Sequence, residues 1–253
     1  MGSLIGSTFR DTLAAQFNGI DEYMYVDNPT FKTDTQGAIS IWLRPATIFS
    51  ANNTSPFISY GVKDAGNNSR LFFAKRRAGV STSNNTRFEI STRLTHNGTI
   101  NSYRGATDIS AGTLYHIIFQ SNGSVHTLYL NGVLETLNIA LGSNNGAWFG
   151  NISGSDHRLA FGCYFNSNAA SLYNDCKENE CIYVNRVLTG AEITALYNGG
   201  TPRNPHRITT LGSDLKSWWR FGDSRDDATT VYDEIGSNNL TLVNMDASNY
   251  VTP

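Results

Sequence analysis

Glu178 and Glu180 are the first residues of this 253-residue chain whose spacing could do chemistry. On a strand, alternate residues share a face, and two carboxylates facing one cleft can break a glycosidic bond as acid and nucleophile. Here they stand in Lys177-Glu178-Asn179-Glu180, which reads as a loop, and no ExDxE strand accompanies them. Cys163 and His157 could form a nucleophile and base, but packing for the thiol and a turn for the histidine are the expected roles. No serine sits in a nucleophile elbow, and no glycine-rich loop opens a helix to hold phosphate. The chain is therefore expected not to be an enzyme.

Binding residues offer more. Asp223, Asp226 and Asp227 cluster in one loop, and Asp156-His157 lies in another. Loop carboxylates suit calcium, yet aspartate is also an ordinary turn residue. Calcium stays open as a cofactor, and no metal ligands are assigned. Trp42 and Trp219 fall inside strand patterns and are expected in the core. Trp148, in the Asn144–Gly150 loop, is the ring expected to be exposed and able to stack on a sugar. The candidate ligand-binding set is Trp148, Asp156 and His157. Cys163, Cys176 and Cys181 lack CxxC or zinc spacing and read as buried free thiols, although Cys176 and Cys181 could close a small loop.

Other partners are excluded by composition. The net charge is −2, and Lys75-Arg76-Arg77 is too short for a nucleic-acid patch; it reads as a solvated strand end. No run approaches the roughly 20 apolar residues of a membrane span. Met1–Ser7 has neither a charged nor an apolar signal region, and Gly6 stands where myristoylation needs Ser or Thr. Asn-x-Ser/Thr triplets at Asn52, Asn67, Asn84, Asn97, Asn122, Asn151 and Asn239 read as by-products of an Asn/Ser/Thr-rich composition.

The elements that would position these residues are strands. Sparse charge (16%) with abundant Asn, Ser, Thr and Gly implies many short strands joined by many turns. Residues 38–43 alternate, with Ile39, Ile41 and Leu43 on one face. Further runs lie at 23–26, 57–62, 71–75, 88–94, 115–120, 125–130, 158–164, 181–184, 218–221 and 240–243. Asn-Gly pairs at 97–98, 122–123 and 131–132 mark hairpins. A two-residue turn at Asn122-Gly123 would set Phe119 against His126 and Ile117 against Leu128, leaving His116 and Ile118 on a half-exposed face. The same counting places Glu135 opposite Leu128, which means an offset turn or a sheet edge. One helix is expected, opened by the capping box Thr189-Gly190-Ala191-Glu192 and closed by Asn198-Gly199-Gly200. Residues 203–213 read as a linker.

Four blocks resemble laminin-G-like, concanavalin A-like jelly rolls. Phe17–Tyr23 is similar to FDGxxDY, Gly37–Pro45 to FTISAWVKP, Leu114–Leu134 to WHHV…LYVNGxL, and Glu180–Ile193 to DEVRIYNRALSxEEI. The resemblance implies an all-β, antiparallel two-sheet jelly-roll sandwich with one short surface helix. Residues 1–13 would form an N-terminal arm, 14–205 the jelly-roll core, and 206–253 the strands that complete one single domain. Asn179 and Cys181 replace the family's Asp and Val, which weakens the metal role implied there. The tail, with Trp218-Trp219-Arg220-Phe221 and then 232–241, resembles laminin-G-like domains of tailed-bacteriophage virion proteins. That resemblance implies a structural or decoration protein of a virion, assembled in the host cytoplasm beside other virion proteins or copies of itself. The alternative is a lectin-type module binding host-surface glycans; a glycoside hydrolase or polysaccharide lyase comes last. The tail strand Leu240–Val243 is expected to fold back on its own chain rather than on a neighbour.

Overall fold

A computed structural model describes residues 13–47, 54–77, 86–223 and 225–253. Residues 1–12 of the expected arm, and the asparagines Asn52 and Asn84, lie outside them.

The strands run β1 (Ala14–Asn18), β2 (Tyr23–Asp27), β3 (Gly37–Pro45), β4 (Thr54–Val62), β5 (Arg70–Arg77), β6 (Thr86–Arg93) and β7 (Ile100–Arg104). Next come β8 (Tyr115–Ser121), β9 (His126–Leu130), β10 (Val133–Leu134), β11 (Asn138–Leu141), β12 (His157–Phe161), β13 (Tyr164–Asn166) and β14 (Ala169–Ser171). The chain continues with β15 (Asp175–Val184), helix α1 (Gly190–Tyr197), β16 (Leu215–Trp219), β17 (Thr230–Val231), β18 (Leu240–Val243) and β19 (Tyr250–Val251).

They build two large antiparallel sheets, the sandwich expected of a jelly roll. The first has the order β10-β9-β8-β3-β15-β1-β19, with β16 also on β15; the second runs β11-β7-β6-β5-β4-β12-β2-β18-β17. Alternation explains the layering. Ile39, Ile41 and Leu43 of the first sheet meet Leu71, Phe73, Phe88 and Ile90 of the second in one dry core. Tail strands pair within the chain: β16 with β15, β18 with β2, and β19 with β1.

Several details depart from the sequence reading. The β8–β9 loop spans Asn122–Val125, so Phe119 faces Leu128 and Ile117 faces Leu130. That offset is two residues, and a shift of two keeps every side chain on its face. Glu135 does lie opposite Leu128, where its amide donates to the Leu128 carbonyl. Its carboxylate takes Thr107 at the sheet edge.

His116 and Ile118 are buried rather than half-exposed, because α1 and the 205–211 segment cover that face. The segment expected as a linker thus packs: Ile208 and Leu211 join Leu188, Ile193, Leu196 and Trp218 in a second small core. The capping box forms as expected, Thr189 Oγ1 accepting from the Glu192 amide and Glu192 from the Thr189 amide. Lys75 is not a solvated strand end. It is buried between the sheets, where its ammonium donates to the carbonyls of Thr47 and Asp175. All three cysteines are buried free thiols.

Candidate functional site

Of the two outer sheet faces, that of the first sheet is roofed by α1 and the segment after it. Among the described residues, the second sheet's outer face is covered by the β13–β14 hairpin alone. Tyr164 and Phe165, adjacent on β13, point opposite ways. Phe165 packs with Ala160 and Cys163 against Tyr23 and Tyr25, while Tyr164 meets Phe72 of β5 edge-on, with centroids 5.6 Å apart. Ser59 holds the hairpin down, accepting from the Phe165 amide and donating to the Cys163 carbonyl. Tyr164 is left as one wall of an open groove of about 320 Å³, lined also by Arg70, Phe72, Ser91, Ile100 and Leu141.

Register explains the lining. Across β4-β5-β6-β7 the outward rows read Gly61-Arg70-Arg93-Ile100 and Ser59-Phe72-Ser91-Ser102, followed at the far end by Ala74-Glu89-Arg104. The Arg70 guanidinium lies over Phe72 (5.8 Å) and Tyr164 (5.6 Å). Burial, and the adjacent Arg93 charge, lower its pKa from the ordinary arginine value. Glu89 is fully buried between Arg76 (3.1 Å) and Arg104 (2.7 Å). Leu141 and Leu172 stand half-exposed on the rim, the latter with a left-handed backbone. Aromatic edges, aliphatic rims and guanidinium donors together suit a sugar ring, which has apolar C–H faces and polar hydroxyl edges.

The sequence-predicted residues lie elsewhere. Trp148 is not exposed: its accessibility is 0%, and it packs against Phe73, His126 and Phe149 with its indole N–H on the Tyr183 hydroxyl. It cannot stack on a sugar from that position. His157 opens β12 rather than sitting in a loop; it is buried and stacks on Tyr60 at 4.9 Å. Burial lowers its pKa below the usual histidine range. Its ring helps line a rim pocket of about 310 Å³ beside Lys32, Gly150 and Ser155. Asp156 accepts from Asn28 (2.7 Å) and pairs with Lys63 (3.3 Å). Those contacts, the Asn28 hydrogen bond foremost, hold its carboxyl below the ordinary range.

Calcium finds no fitting donor set among the described residues. Asp223 pairs with Arg220, Asp226 accepts from the amides of Gly222, Asp223 and Tyr232, and Asp227 caps Thr229 and Thr230. Each of these carboxylates already organises its own turn.

Glu178 and Glu180 belong to the long strand β15, not to a loop. Glu180 accepts from the Trp218 indole (2.6 Å) and Arg220 (3.2 Å). Glu178 is fully buried, and its partner is the Cys176 thiol at 3.4 Å. Burial raises its pKa well above the ordinary 4.5. Below 4.5 the folded and unfolded states are both protonated and its contribution is complete. Above that, the unfolded chain loses the proton first, so stability falls as pH rises toward the folded value, by up to about 1.4 kcal/mol per pH unit. Urea unfolding from pH 5 to 9 should show this slope flattened in Glu178→Gln; an unchanged slope would mean Glu178 titrates normally.

The groove residues Arg70, Phe72 and Tyr164 were missed in the sequence. Their signal was present: Arg70, Phe72 and Arg76 alternate with the apolar Leu71 and Phe73, marking a charged outer face.

Comparison with known proteins agrees with the fold. A family model for the concanavalin A-like lectin/glucanases superfamily matches residues 18–194. No curated protein sequence matches the chain. Among solved structures, the CBM40 of Ruminococcus gnavus IT-sialidase is 16% identical, with a TM-score of 0.55, over 73% of this chain and 98% of that one. The same domain is also known bound to α2,3 sialyllactose. A candidate carbohydrate binding protein from Bacteroides ovatus shares 13% identity (TM-score 0.62) over 98% of this chain and 61% of its own. A heptameric SAP-like pentraxin from Limulus polyphemus shares 12% (TM-score 0.56) over 93% and 96%. At these identities the likeness is one of fold.

Proposed function

Since this chain belongs to the concanavalin A-like lectin/glucanase superfamily, we propose that it is a non-catalytic glycan-binding module whose ligand lies in the groove beside Arg70, Phe72 and Tyr164. The observation that carries this reading is the open outer face of the second sheet. It combines ring edges, aliphatic rims and guanidinium donors, whereas the other sheet's outer face is roofed. The carbohydrate-binding structural neighbours support the same reading and favour it over the virion decoration role, which rests on the tail resemblance alone. Assembly with virion proteins or with copies of itself draws no support from them. No helix among the described residues is long and apolar enough to cross a membrane. Glu178 is buried inside the sandwich, Glu180 is held by Trp218 and Arg220, and neither lines the groove, which supports the non-catalytic assignment.

Calorimetric titration with a panel of neutral and acidic oligosaccharides tests the proposal. At least one should bind, and Tyr164→Ala should weaken it about tenfold, the scale of losing roughly 1.4 kcal/mol of aromatic contact. Absence of binding across the panel, or binding that Tyr164→Ala leaves intact, would place the function elsewhere.

A further inference from the structure

Arg70 and Arg93 stand directly opposite each other in the β5–β6 register and so share the outer face. Like charges on facing strand positions repel, and no ion pair among the described residues offsets this repulsion. Four other arginines of this sheet hold a carboxylate: Arg76 and Arg104 hold Glu89, Arg87 holds Asp108, and Arg158 holds Asp27. Neither Arg70 nor Arg93 pairs with an acid among the described residues. The buried Nε of each finds no acceptor there, and the Arg70 Nη1 reaches only the Asn68 carbonyl. Arg70 lines the groove, and so does Ile100, which faces Arg93 from the other side; Arg93 therefore lies between two lining residues.

We infer that Arg70 and Arg93 form a carboxylate-binding fork at one end of the groove, so that the preferred ligand is an acidic sugar. The inference rests on the glycan-binding reading and deepens it. A carboxylate is planar and accepts parallel N–H bonds from guanidinium groups, which neutral hydroxyls match poorly. Its charge would relieve the repulsion between the two cations. The aliphatic side chains of Ile100, Leu141 and Leu172 would cover the C–H face of the same ring.

Two probe pairs that differ at the acid test this: 3′-sialyllactose against lactose, and tetragalacturonate against its methyl ester. At least one acidic member should bind at least about tenfold tighter than its neutral twin, the scale of hydrogen bonds to a charged group. Whichever pair shows the margin identifies a sialate or a uronate. Arg70→Gln and Arg93→Gln should each erase the margin, and Arg93→Lys should restore only part of it. Unliganded Arg93→Gln should melt at or above the wild-type temperature, because a repulsive pair is removed; a purely structural arginine would lower it. Equal affinity for acidic and neutral probes, still sensitive to Tyr164→Ala, overturns the fork and leaves the groove. No binding by any probe overturns both.

Discussion

Arg186→Ala will destabilise the protein by about 3–5 kcal/mol, the cost of stranding a buried partner charge. All five guanidinium N–H donors of Arg186 are used. Two go to Glu192 at 2.9 Å each, one to Asp214 at 2.7 Å, and two to the carbonyls of Val187 and Thr210. These contacts tie the end of β15 to α1 and to the segment that leads into β16. Glu192 is only 2% exposed, so deleting the arginine leaves a carboxylate that water cannot readily reach.

The same geometry sets a pH dependence. The Arg186 hydrogen bond holds the Glu192 carboxyl down at about 2. A group with a depressed folded value contributes fully above its ordinary range near 4.5 and loses that contribution as pH falls toward 2. Wild-type urea midpoints should therefore fall between pH 5 and 2.5, and Arg186→Ala should be much less sensitive over that range. Glu178 works in the opposite sense and at higher pH, so the two substitutions are separable. A loss below about 1 kcal/mol at pH 7 would show that the cluster behaves like an exposed surface pair.

Gly61→Ala will lower both stability and glycan affinity. A methyl group at position 61 would stand 2.4 Å from the Phe165 carbonyl oxygen and 3.2 Å from the Asn166 Cα. Both obstacles are backbone of β13, so a strand must move rather than a side chain rotate. Overpacking of this kind costs about 1–3 kcal/mol, and occasionally more. Lifting β13 would also strain the two hydrogen bonds through Ser59 and withdraw Tyr164 from the groove. Chemical denaturation and glycan titration of the same variant measure the two effects. Gly190→Ala, where the added methyl meets open space at the first turn of α1, is the control and should be neutral or slightly stabilising. Unaltered affinity in Gly61→Ala would show that the hairpin does not shape the ligand site.

Much of the architecture was legible because it depends on near neighbours in the chain. Alternation in Ile39-Ser40-Ile41-Trp42-Leu43 identifies a strand and its core face without reference to anything distant. Thr189 and Glu192 are three residues apart, so their reciprocal caps can be read directly. The four resemblance blocks pointed to the sandwich, and the register error at the Asn122-Gly123 turn was even-numbered and harmless to the faces.

What the chain's local order determined, then, was the sandwich, its helix and its core faces. Tertiary structure alone decided which faces are covered and which charges meet. A glycine- and asparagine-rich loop looks exposed, yet Phe73 and His126 arrive from two distant strands and join the neighbouring Phe149 to bury Trp148. Residues 205–211 look like a linker until the outer face of the first sheet claims Ile208 and Leu211. Arg70 and Arg93 are 23 positions apart and become neighbours only through the β5–β6 register. Burial and cross-strand pairing are sums over contacts from distant segments, whereas propensity and periodicity are properties of a few consecutive residues. The fold was therefore readable from the chain, and the groove became visible only once the sheet had formed.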